Sequence, residues 1–377
     1  MGRPLHLGGD GGPHGRGVRP GGRVNGVATA DVTVVVVTWR ARALVLRCLE
    51  GLARQELDGL RMHVVVVDND SRDGTAEAVH AAHPEVQVVV SDVNRGFAGG
   101  NNLALRAVDS PVVVLLNNDA VPEPTFVARL VGHLRAAAPE VAAVTGRVLL
   151  ADRFRPAADG ESAVVGPDGR WVADPAGDVL LVNSTGNVLR TDGYGVDRGW
   201  LARADGHHPP REVFGFCGAG VALRTDALRD VGLFDEDFFL YYEDSDLSWR
   251  LRLAGYRVEY AQDAVLHHEH AASTREGSDL FRFHDWRNRL LLLTKDATAR
   301  RAVAAVLRFV VTTASVALRR HGSRGEVRVR LRVLASYVRL LPAMLARRRT
   351  IGRRARVTRA EVERLLVPPA PSGGLRA

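Results

Sequence analysis

The sequence predicts an α/β protein in which helices flank a mostly parallel central sheet. Short runs of β-branched residues, typical of strands buried on both faces, alternate with segments whose apolar residues recur at helical spacing. Strands that alternate with helices form βαβ units, and these units place their strands parallel. With 377 residues and a hydrophobic fraction of 46%, the chain can form one large α/β domain with appendages or two modest domains.

The alternating pattern begins at Val32. It predicts strands over Val34 to Val37, Val64 to Val67, Val86 to Val90 and Val112 to Leu116, and helices around Leu44 to Leu52, over Thr75 to Ala82 and from near Gly99. In parallel sheets, ligands bind beyond the carboxyl ends of the strands. Asp68 ends the second strand and Asp119 follows the fourth, so we expect one crevice to hold both carboxylates.

The second half of the chain is less regular. The stretch from Asp152 to Pro210 is rich in glycine, aspartate and proline and gives no assignment. After it the pattern predicts a strand over Val213 to Leu223, a helix over Glu243 to Ala254, strands near Arg257 to Tyr260 and Ala264 to His267, and a helix around Trp286 to Leu293. Regular structure is therefore expected to resume after the irregular stretch.

The positive charge is concentrated near the C-terminus. Residues 319–359 carry 14 arginines and one acid, Glu326, a local excess of 13 against a total of +8, so the rest of the chain carries a net −5. Lys295 is the only lysine, which shows that arginine is used almost everywhere that a cation is needed. Arginine richness alone therefore does not indicate phosphate recognition, and no nucleic-acid partner is predicted.

This basic tail is predicted to be helical and amphipathic. In Ala302 to Arg319, polar residues fall on one helical face, and Val303, Val306, Val310, Ala314 and Ala317 line the other. The apolar part, Ala302 to Leu318, is 17 residues long, short of the roughly 20 that a spanning helix needs. Peripheral binding to an anionic membrane surface is one expectation, and packing of the helices on the body or between subunits is the other.

Arginine and aliphatic residues alternate from Val327 to Val333, which leaves both a strand and a helix possible in that segment. Pro342 is expected to kink or end the helix that follows.

Cysteine content and the N-terminal composition both favour an intracellular protein. Cys48 and Cys217 are too few for a disulfide framework and are not spaced as metal ligands, so a reducing compartment is predicted. Residues 1–30 are rich in glycine, proline and arginine, contain no apolar leader segment and are predicted to be disordered.

The first turn of the sheet excludes two common classes of nucleotide-binding protein. Thr38 to Arg42 contains no glycine, whereas a dinucleotide-binding fingerprint needs glycines there to let the backbone approach a pyrophosphate. The chain also lacks a Walker-type Gly-Lys-Ser/Thr. A bound nucleotide must therefore be held in another way.

Polar residues after the sheet strands are candidates for that role. Asp68 can accept a hydrogen bond from a base or ribose, although a capping aspartate in a turn explains it equally well. The segment Asn94 to Asn102 combines glycines, asparagines and Arg95 at a helix start, which gives flexible backbone and donors suited to a phosphate or sugar. An ordinary loop is the alternative, although this composition is unusual for one. Asn117-Asn118-Asp119 offers a carboxylate for a divalent cation, with an Asx-turn as the alternative.

An aromatic run is followed by two adjacent carboxylates, Glu243 and Asp244, at the start of a predicted helix. Apolar surroundings raise the pKa of a carboxyl group toward that of a useful base, although acids at a helix N-terminus are also explained by the helix dipole. Asp246 and Arg250 are spaced as a structural helix pair. His267-His268-Glu269-His270 can supply an imidazole to a metal, and a plain surface run of histidines is the alternative.

In order and spacing, these motifs resemble the family 2 glycosyltransferases with the GT-A fold, and in particular their bacterial rhamnosyltransferase and galactofuranosyltransferase branch. The resemblance runs from Val32 to about Lys295 and leaves the basic tail outside. It rests on Val37-Thr38-Trp39, Asp68-Asn69-Asp70-Ser71, Asn94 to Asn102, Leu116 to Asp119, Gly218-Ala219-Gly220, Gly232 to Glu236, Glu243 to Leu247 and Arg287-Asn288.

The resemblance implies roles for individual residues. Asp244 becomes the general base, with Glu243 beside it, and Asp119 ligates Mg²⁺ or Mn²⁺ as the last residue of a DxD-like motif. His268 is a further metal ligand, preferred over His267 because it lies five residues before Ser273. Asn117 stands where the motif has its first aspartate, which weakens a metal role at that position. The predicted nucleotide-sugar contacts are Thr38, Asp68, Asn69, Arg95, Gly96, Asn101, Asn117 and Asn118.

The implied function is inverting transfer of a sugar, with rhamnose favoured, from a dTDP- or UDP-sugar to a hydroxyl of a glycan or lipid-linked acceptor in cell-wall polysaccharide synthesis. The enzyme is expected in the cytoplasm, at the inner face of the plasma membrane. An inactive sugar-nucleotide-binding or scaffold protein on the same fold is the alternative, and a sugar nucleotidyltransferase is disfavoured because Thr38 to Arg42 has no glycine. The implied units are a lead (1–30), a nucleotide-sugar-binding half (31–150), an acceptor-binding and catalytic half (151–295), a basic helical tail (296–360) and a disordered end (361–377).

Overall fold

A ten-stranded sheet forms the centre of the molecule. The structure is a computed structural model, and it describes residues 30–269, 277–318 and 324–369. Nearly all of the predicted lead, and residues 370–377 of the predicted end, lie outside the described residues.

The strands and helices follow one another in the predicted alternation through the first half. The strands are β1 (Val32–Thr38), β2 (Met62–Asp68), β3 (Gln87–Val90), β4 (Val112–Asn117), β5 (Ala120–Pro122), β6 (Val141–Leu150), β7 (Phe154–Pro156), β8 (Val164–Gly166), β9 (Gly169–Ala173), β10 (Val182–Ser184), β11 (Asn187–Leu189), β12 (Gly195–Asp197), β13 (Glu212–Val213), β14 (Gly220–Arg224) and β15 (Arg257–His268). The helices are α1 (Arg42–Ala53), α2 (Thr75–Ala82), α3 (Gly96–Leu105), α4 (Phe126–Ala136), α5 (Thr225–Val231), α6 (Glu243–Leu253), α7 (Asp279–Asp296), α8 (Ala299–Leu318), α9 (Arg324–Arg354) and α10 (Arg359–Val362).

The parallel part of the sheet has the order β3-β2-β1-β4. β14 runs antiparallel to both β4 and β6, and β15 runs parallel to β6. Side chains alternate between the two faces of each strand, so Val34 and Val36 pack with α1, α2 and α4 while Val35 packs with α3 and α6. The sheet is therefore covered by helices on both faces, as the continuous valine runs predict.

The C-terminal helices pack on α6 and α7. They bury an apolar cluster that is separate from the clusters on the two faces of the sheet. It contains Val329, Val333 and Tyr337 of α9, together with Phe309 of α8 and Val362. The buried positions of α9 recur every four residues, which explains why Val327 to Val333 forms a helix despite its strict alternation. Packing against α7 therefore decides the conformation of this segment.

Helix α8 is longer and more exposed than the sequence pattern suggested. It spans Ala299–Leu318, 20 residues, and so begins three residues before the predicted Ala302 to Arg319; within the described residues it is the one helix long and apolar enough to cross a membrane by length and composition. Ala302, Phe309 and Thr313 face the body, whereas Val303 and Val310 of the predicted apolar face are exposed. The helix thus has a packed side and a separate, exposed apolar side.

The secondary structure differs from the sequence-based prediction in three further segments. Val213 to Leu223 is not one strand, because the chain leaves the sheet between β13 and β14 where Gly215 passes close to Ser248. The two strands predicted near Arg257 and Ala264 form one strand, β15, whose register with β6 shifts between Tyr260 and Val265. Pro342 lies inside α9 without ending it, and Val338, whose carbonyl loses its helical donor to the proline, is an exposed residue.

Residues 361–369 are ordered, contrary to the prediction of a disordered end from residue 361. Thr358 and Glu361 form a capping box at the start of α10. Val362 and Leu366 are buried against α6 and α9, which supplies the apolar contact that holds this segment in place.

Candidate active site

A carboxylate and an imidazole meet beyond the end of β4. Asp119 Oδ1 lies 3.0 Å from His268 Nε2, because β5 pairs antiparallel with the end of β15 and sets His268 opposite Ala120. His267 points elsewhere and contacts Glu123 at 3.2 Å. The structure therefore places His268, the preferred histidine of the pair, beside Asp119.

The imidazole of His268 is oriented by two amide side chains. Its Nδ1 lies 2.6 Å from Asn183 Oδ1, and its Nε2 lies 3.3 Å from Asn117 Nδ2. The neutral tautomer that donates from Nδ1 and accepts at Nε2 satisfies both contacts. A carboxylate oxygen and a nitrogen lone pair then face each other across 3.0 Å.

This pair fits a divalent cation. Asp119 is 8% exposed, and its Oδ1 accepts no hydrogen bond from any described residue. The described residues contain no group of three or more His, Cys, Asp or Glu side chains arranged around a metal. Mg²⁺ is typically held by one or two carboxylates plus the phosphates of its substrate, so Asp119 and His268 suit a cation that a diphosphate ligand completes.

Asp68 and Thr38 lie at the same edge of the sheet as Asn117, at the carboxyl ends of neighbouring parallel strands. Thr38 Oγ1 accepts a hydrogen bond from Asn118 Nδ2 at 3.0 Å. Asp68 Oδ1 accepts from the backbone N–H of Ser71 at 2.9 Å, the turn-capping contact that was the alternative for this residue. The register of β1 sets Thr38 opposite Asp68, so the two predicted nucleotide contacts lie side by side.

Asn69 holds the following loop against the sheet. Its Nδ2 donates to Gly96 O at 3.0 Å, and its Oδ1 accepts from the Arg95 N–H at 3.0 Å. Arg95 has an exposed side chain at the start of α3, where a phosphate can be reached. Asn101 is buried and donates to the carbonyl of Phe97 in its own helix, so its amide nitrogen is already engaged.

Gly96 joins this loop to the aromatic run. Its φ is 65°, and a Cβ there would lie 2.2 Å from the carbonyl oxygen of Phe239. Both the backbone conformation and the close approach therefore require glycine. The donor-side loop and the segment leading to Glu243 consequently touch.

Two carboxyl groups begin α6, one buried and the other half-buried. Glu243 is 7% exposed and its Oε2 has no hydrogen-bond partner among the described residues. Asp244 is half-buried and accepts hydrogen bonds from Asn187 Nδ2 at 2.5 Å and from the Ser245 N–H at 2.6 Å.

Burial, aided by the neighbouring charge of Asp244, raises the pKa of Glu243. Burial also raises the pKa of Asp244, but the donors from Ser245 and Asn187 oppose the rise. The larger rise falls on Glu243, so Glu243 takes the proton and Asp244 stays ionised near neutral pH. Asp244 is therefore the member of the pair equipped to accept a proton.

Asp246, two residues further on, has a structural role as expected from its spacing. It is fully buried and pairs with Arg250 at 2.9 Å and with Lys295 at 2.6 Å. Lys295 also contacts Asp235 at 2.6 Å. These ion pairs fix α6 to α7 and to the loop before α6.

The loop before Glu243 is held by α7. The backbone φ is positive at Phe239, Tyr241 and Tyr242, a conformation that residues other than glycine adopt only under constraint. Asn288 Nδ2 contacts the carbonyl oxygens of Phe238, Leu240 and Tyr241 at 2.9, 2.8 and 2.7 Å. Asn288 thus supplies much of the constraint that positions the two carboxyl groups.

One short segment links the two parts of the site. Asn183 orients His268, and Asn187, four residues later, contacts Asp244. Four residues span at most about 14 Å, so this segment keeps the carboxylate–imidazole pair and the acidic helix start close to one another. Neither asparagine was predicted, because both lie in the stretch from Asp152 to Pro210, whose composition carries no signal for a site.

Comparison with known proteins shows the family of the chain. Residues 30–283 match the family described as glycosyltransferase like family 2. The chain belongs to this family. Its relatives include the pre-mycofactocin glycosyltransferase of Mycobacterium tuberculosis, 30% identical over 257 residues that cover 67% of this chain and 45% of that protein. The N-acetylglucosaminyl-diphospho-decaprenol L-rhamnosyltransferase of the same organism is 27% identical over 233 residues, which cover 56% of this chain and 68% of that protein.

The structural comparison confirms the predicted GT-A fold. A crystal structure of GalNAc-T7 with UDP, GalNAc and Mn²⁺ superposes with a TM-score of 0.52 at 11% identity, over 71% of this chain and 48% of that one. The family 2 chain therefore has a mixed α/β fold with a central sheet flanked by helices. It spans less than half the length of the pre-mycofactocin glycosyltransferase.

Proposed function

We propose that this family 2 chain is an inverting, metal-dependent glycosyltransferase that moves a sugar from a nucleoside diphosphate sugar to a hydroxyl group. The observation that carries the proposal is the presence of two features joined by the segment from Asn183 to Asn187. One is the carboxylate–imidazole pair, which suits a divalent cation, and the other is the separate ionised carboxylate of Asp244. One part suits the leaving diphosphate, and the other suits the attacking hydroxyl.

Asp244 acts as the general base. It takes the proton of the acceptor hydroxyl as that oxygen forms a bond to the anomeric carbon, and the bond from this carbon to the diphosphate oxygen breaks. The configuration inverts because there is a single displacement. Asp119 and His268 would hold Mg²⁺ or Mn²⁺, which when bound stabilises the negative charge of the departing diphosphate. Arg95, exposed at the start of α3, adds a second positive charge on the donor side.

The donor side takes the nucleotide between β1, β2 and α3. Thr38 accepts from Asn118 Nδ2 and Asp68 Oδ1 accepts from Ser71, so the groups offered to a ligand at the strand ends are the hydroxyl proton of Thr38, the other carboxylate oxygen of Asp68 and the amide oxygen of Asn118. Asn69 and Gly96 shape the loop rather than offering groups to the ligand, because their polar atoms or backbone are engaged. Asn101 is engaged in the same way, so a direct contact to the sugar nucleotide is assigned to the first three residues.

The acceptor is proposed to be a glycan or a lipid-linked glycan of the bacterial surface, and the donor dTDP-rhamnose or a UDP-sugar. The support is the relative named as a rhamnosyltransferase acting on a diphospho-decaprenol acceptor, together with the exposed apolar side of α8, which suits work at a membrane. An arginine-rich tail beside that helix favours the anionic inner face of the plasma membrane, at about 1 kcal/mol per surface-facing cation.

Membrane binding is tested by sedimentation with vesicles of increasing anionic-lipid content at low salt. The full-length protein should sediment in proportion to the anionic fraction. Protein that stays in the supernatant at every composition would leave the tail as a packing element only.

The donor is tested by thermal-shift screening of the purified protein against dTDP- and UDP-sugars with Mn²⁺. A binding donor raises the melting temperature by mass action, and Asp119→Asn should abolish the Mn²⁺-dependent part of that rise. An inactive sugar-nucleotide-binding protein would show the same shift without releasing nucleoside diphosphate, so a hydrolysis assay on the binding donor separates the two functions. No shift with any donor would argue against both.

A further inference from the structure

A cavity of about 190 Å³ opens between α7, α8, α9 and the turn of the β11–β12 hairpin. Three arginines, Arg289, Arg308 and Arg330, line it together with Trp286 and Tyr194. The cavity is smaller than the roughly 300–1,000 Å³ of sites that enclose a whole small molecule. It is therefore sized for a head group whose remainder lies outside.

The arginines have guanidinium N–H donors that are available to a ligand. Arg289 is 5% exposed, and its Nε has no hydrogen-bond partner among the described residues. Arg308 is exposed and makes no hydrogen bond or ion pair with any described residue. Arg330 lies 4.5 Å over the Trp286 ring, which directs its guanidinium along the wall of the cavity.

The charge of the cavity is positive. Glu326 pairs with Arg330 at its edge at 3.0 Å. Asp192 is the one acidic lining residue in the part of the chain that the structure describes, and Arg190 pairs with it at 2.8 Å. A buried arginine whose Nε–H has no partner among the described residues, with two further arginines beside it, is a set of donors suited to binding phosphate groups.

An apolar strip begins at the rim of this cavity. Val303, Leu307 and Val311 of α8 are 57%, 58% and 65% exposed and lie on one helical face. Arg308 is turned by about 60° from Val311 around the helix, so it stands between the strip and the cavity. A ligand with a phosphorylated head and an apolar tail would bridge the two surfaces.

The cavity and the acidic helix start contact the two ends of the β11–β12 hairpin. Asn187, which contacts Asp244, pairs with Asp197 in the β11–β12 hairpin, and Tyr194 lies at the turn of that hairpin. Three residues of a strand separate Asn187 from that turn, about 10 Å along the hairpin. A short saccharide extending from a head group in the cavity can therefore reach Asp244.

We propose that this cavity binds the phosphate or diphosphate of a lipid-linked acceptor, with the lipid lying along the exposed face of α8 and the sugar directed to Asp244. The proposal rests on the proposed transferase function and adds the site that selects the acceptor. Arg289, Arg308 and Arg330 bind the head group, and Leu307 and Val311 contact the first part of the tail.

Calorimetric titration of the full-length protein tests this site. The probes are farnesyl diphosphate, inorganic diphosphate and farnesol, in metal-free buffer so that the site at Asp119 does not capture diphosphate. Farnesyl diphosphate should bind more tightly than either of its parts. Arg308→Gln should weaken its binding about tenfold, the loss of one charge-assisted hydrogen bond. Arg349→Gln is the matched control, since Arg349 is exposed on α9 away from the cavity and its loss changes the net charge equally.

Each outcome decides the proposal. Equal weakening by Arg308→Gln and Arg349→Gln would overturn it in favour of unspecific attraction to the tail. Tight binding of inorganic diphosphate that farnesyl attachment does not improve would overturn the lipid assignment in favour of a free-anion site. Leu307→Asp should weaken farnesyl diphosphate but leave inorganic diphosphate unchanged. Donor hydrolysis in the same preparations reports the transferase function separately, so a failure of this site alone leaves hydrolysis intact.

Discussion

Replacing Asp244 by asparagine should remove transfer while leaving the fold and donor binding in place. The amide fills the same space but cannot accept a proton. Its Oδ1 can still accept the 2.6 Å hydrogen bond from the Ser245 N–H, so the start of α6 keeps its main contact. A general base contributes about 10²- to 10⁴-fold to a rate, so transfer should fall by at least about 10²-fold.

Glu243→Gln is the matched control because it makes the same change one residue away. Glu243 is the protonated member of the pair, so an amide replaces a group that is already neutral, and transfer should change by less than about tenfold. The assay is product formation under saturating donor, with donor affinity measured separately by thermal shift.

The pH profile provides a second readout of the same assignment. Since burial raises the pKa of Asp244, the acid limb of the rate should lie above the ordinary aspartate value of about 3.9. The limb should disappear in the residual activity of Asp244→Asn. If Glu243→Gln were the dead variant, the base would move by one residue; near-normal transfer by both variants would refute the reasoning from paired carboxyl groups.

Three further predictions concern stability and loop geometry. Glu243→Gln should stabilise the protein by about 1–3 kcal/mol at pH 7, because burial raises the pKa of Glu243, so folding at pH 7 must protonate a carboxyl group that is ionised in the unfolded chain, a cost that glutamine does not carry. The gain should vanish near pH 4, where Glu243 is protonated in both folded and unfolded chains and carries no penalty, and urea titration at the two pH values checks it. Asn288→Ala should cost about 2–3 kcal/mol through the loss of contacts to three carbonyl oxygens, and should lower transfer without changing donor affinity. Lys295→Met should destabilise the fold by about 3–5 kcal/mol in denaturant unfolding, because it leaves Asp246 and Asp235 less compensated, whereas the exposed Arg349→Gln should be close to neutral.

The parallel core follows from local patterns in the chain. The valine runs of β1, β2 and β4 have the composition of strands buried on both faces, and α2 spans the predicted Thr75–Ala82. Asp119 and Asp68 were expected in one crevice because parallel strands present their carboxyl ends at one edge. Periodicity and topology rules are therefore sufficient to predict the parallel core and the sheet edge at which both aspartates lie.

The rest of the site depends on contacts between distant segments. Asn183 and Asn187 lie in short strands whose glycine-rich surroundings resemble any surface loop, and only their contacts with His268 and Asp244 give them a role. The same limit applies to Val327 to Val333, where packing on α7 overrides an alternating pattern. The side of α8 that packs is likewise set by its neighbours in the fold, since both sides carry apolar residues.

Release of nucleoside diphosphate from the donor, measured with and without a divalent cation, tests the central claim most directly. Turnover by the purified protein should require Mg²⁺ or Mn²⁺, stop in EDTA and return when the metal is restored. Asp119→Asn should remain inactive at every metal concentration, because the oxygen 3.0 Å from His268 Nε2 would no longer be charged. Turnover that continues undiminished in EDTA would contradict the account, and would assign neutralisation of the leaving diphosphate to arginines such as Arg95.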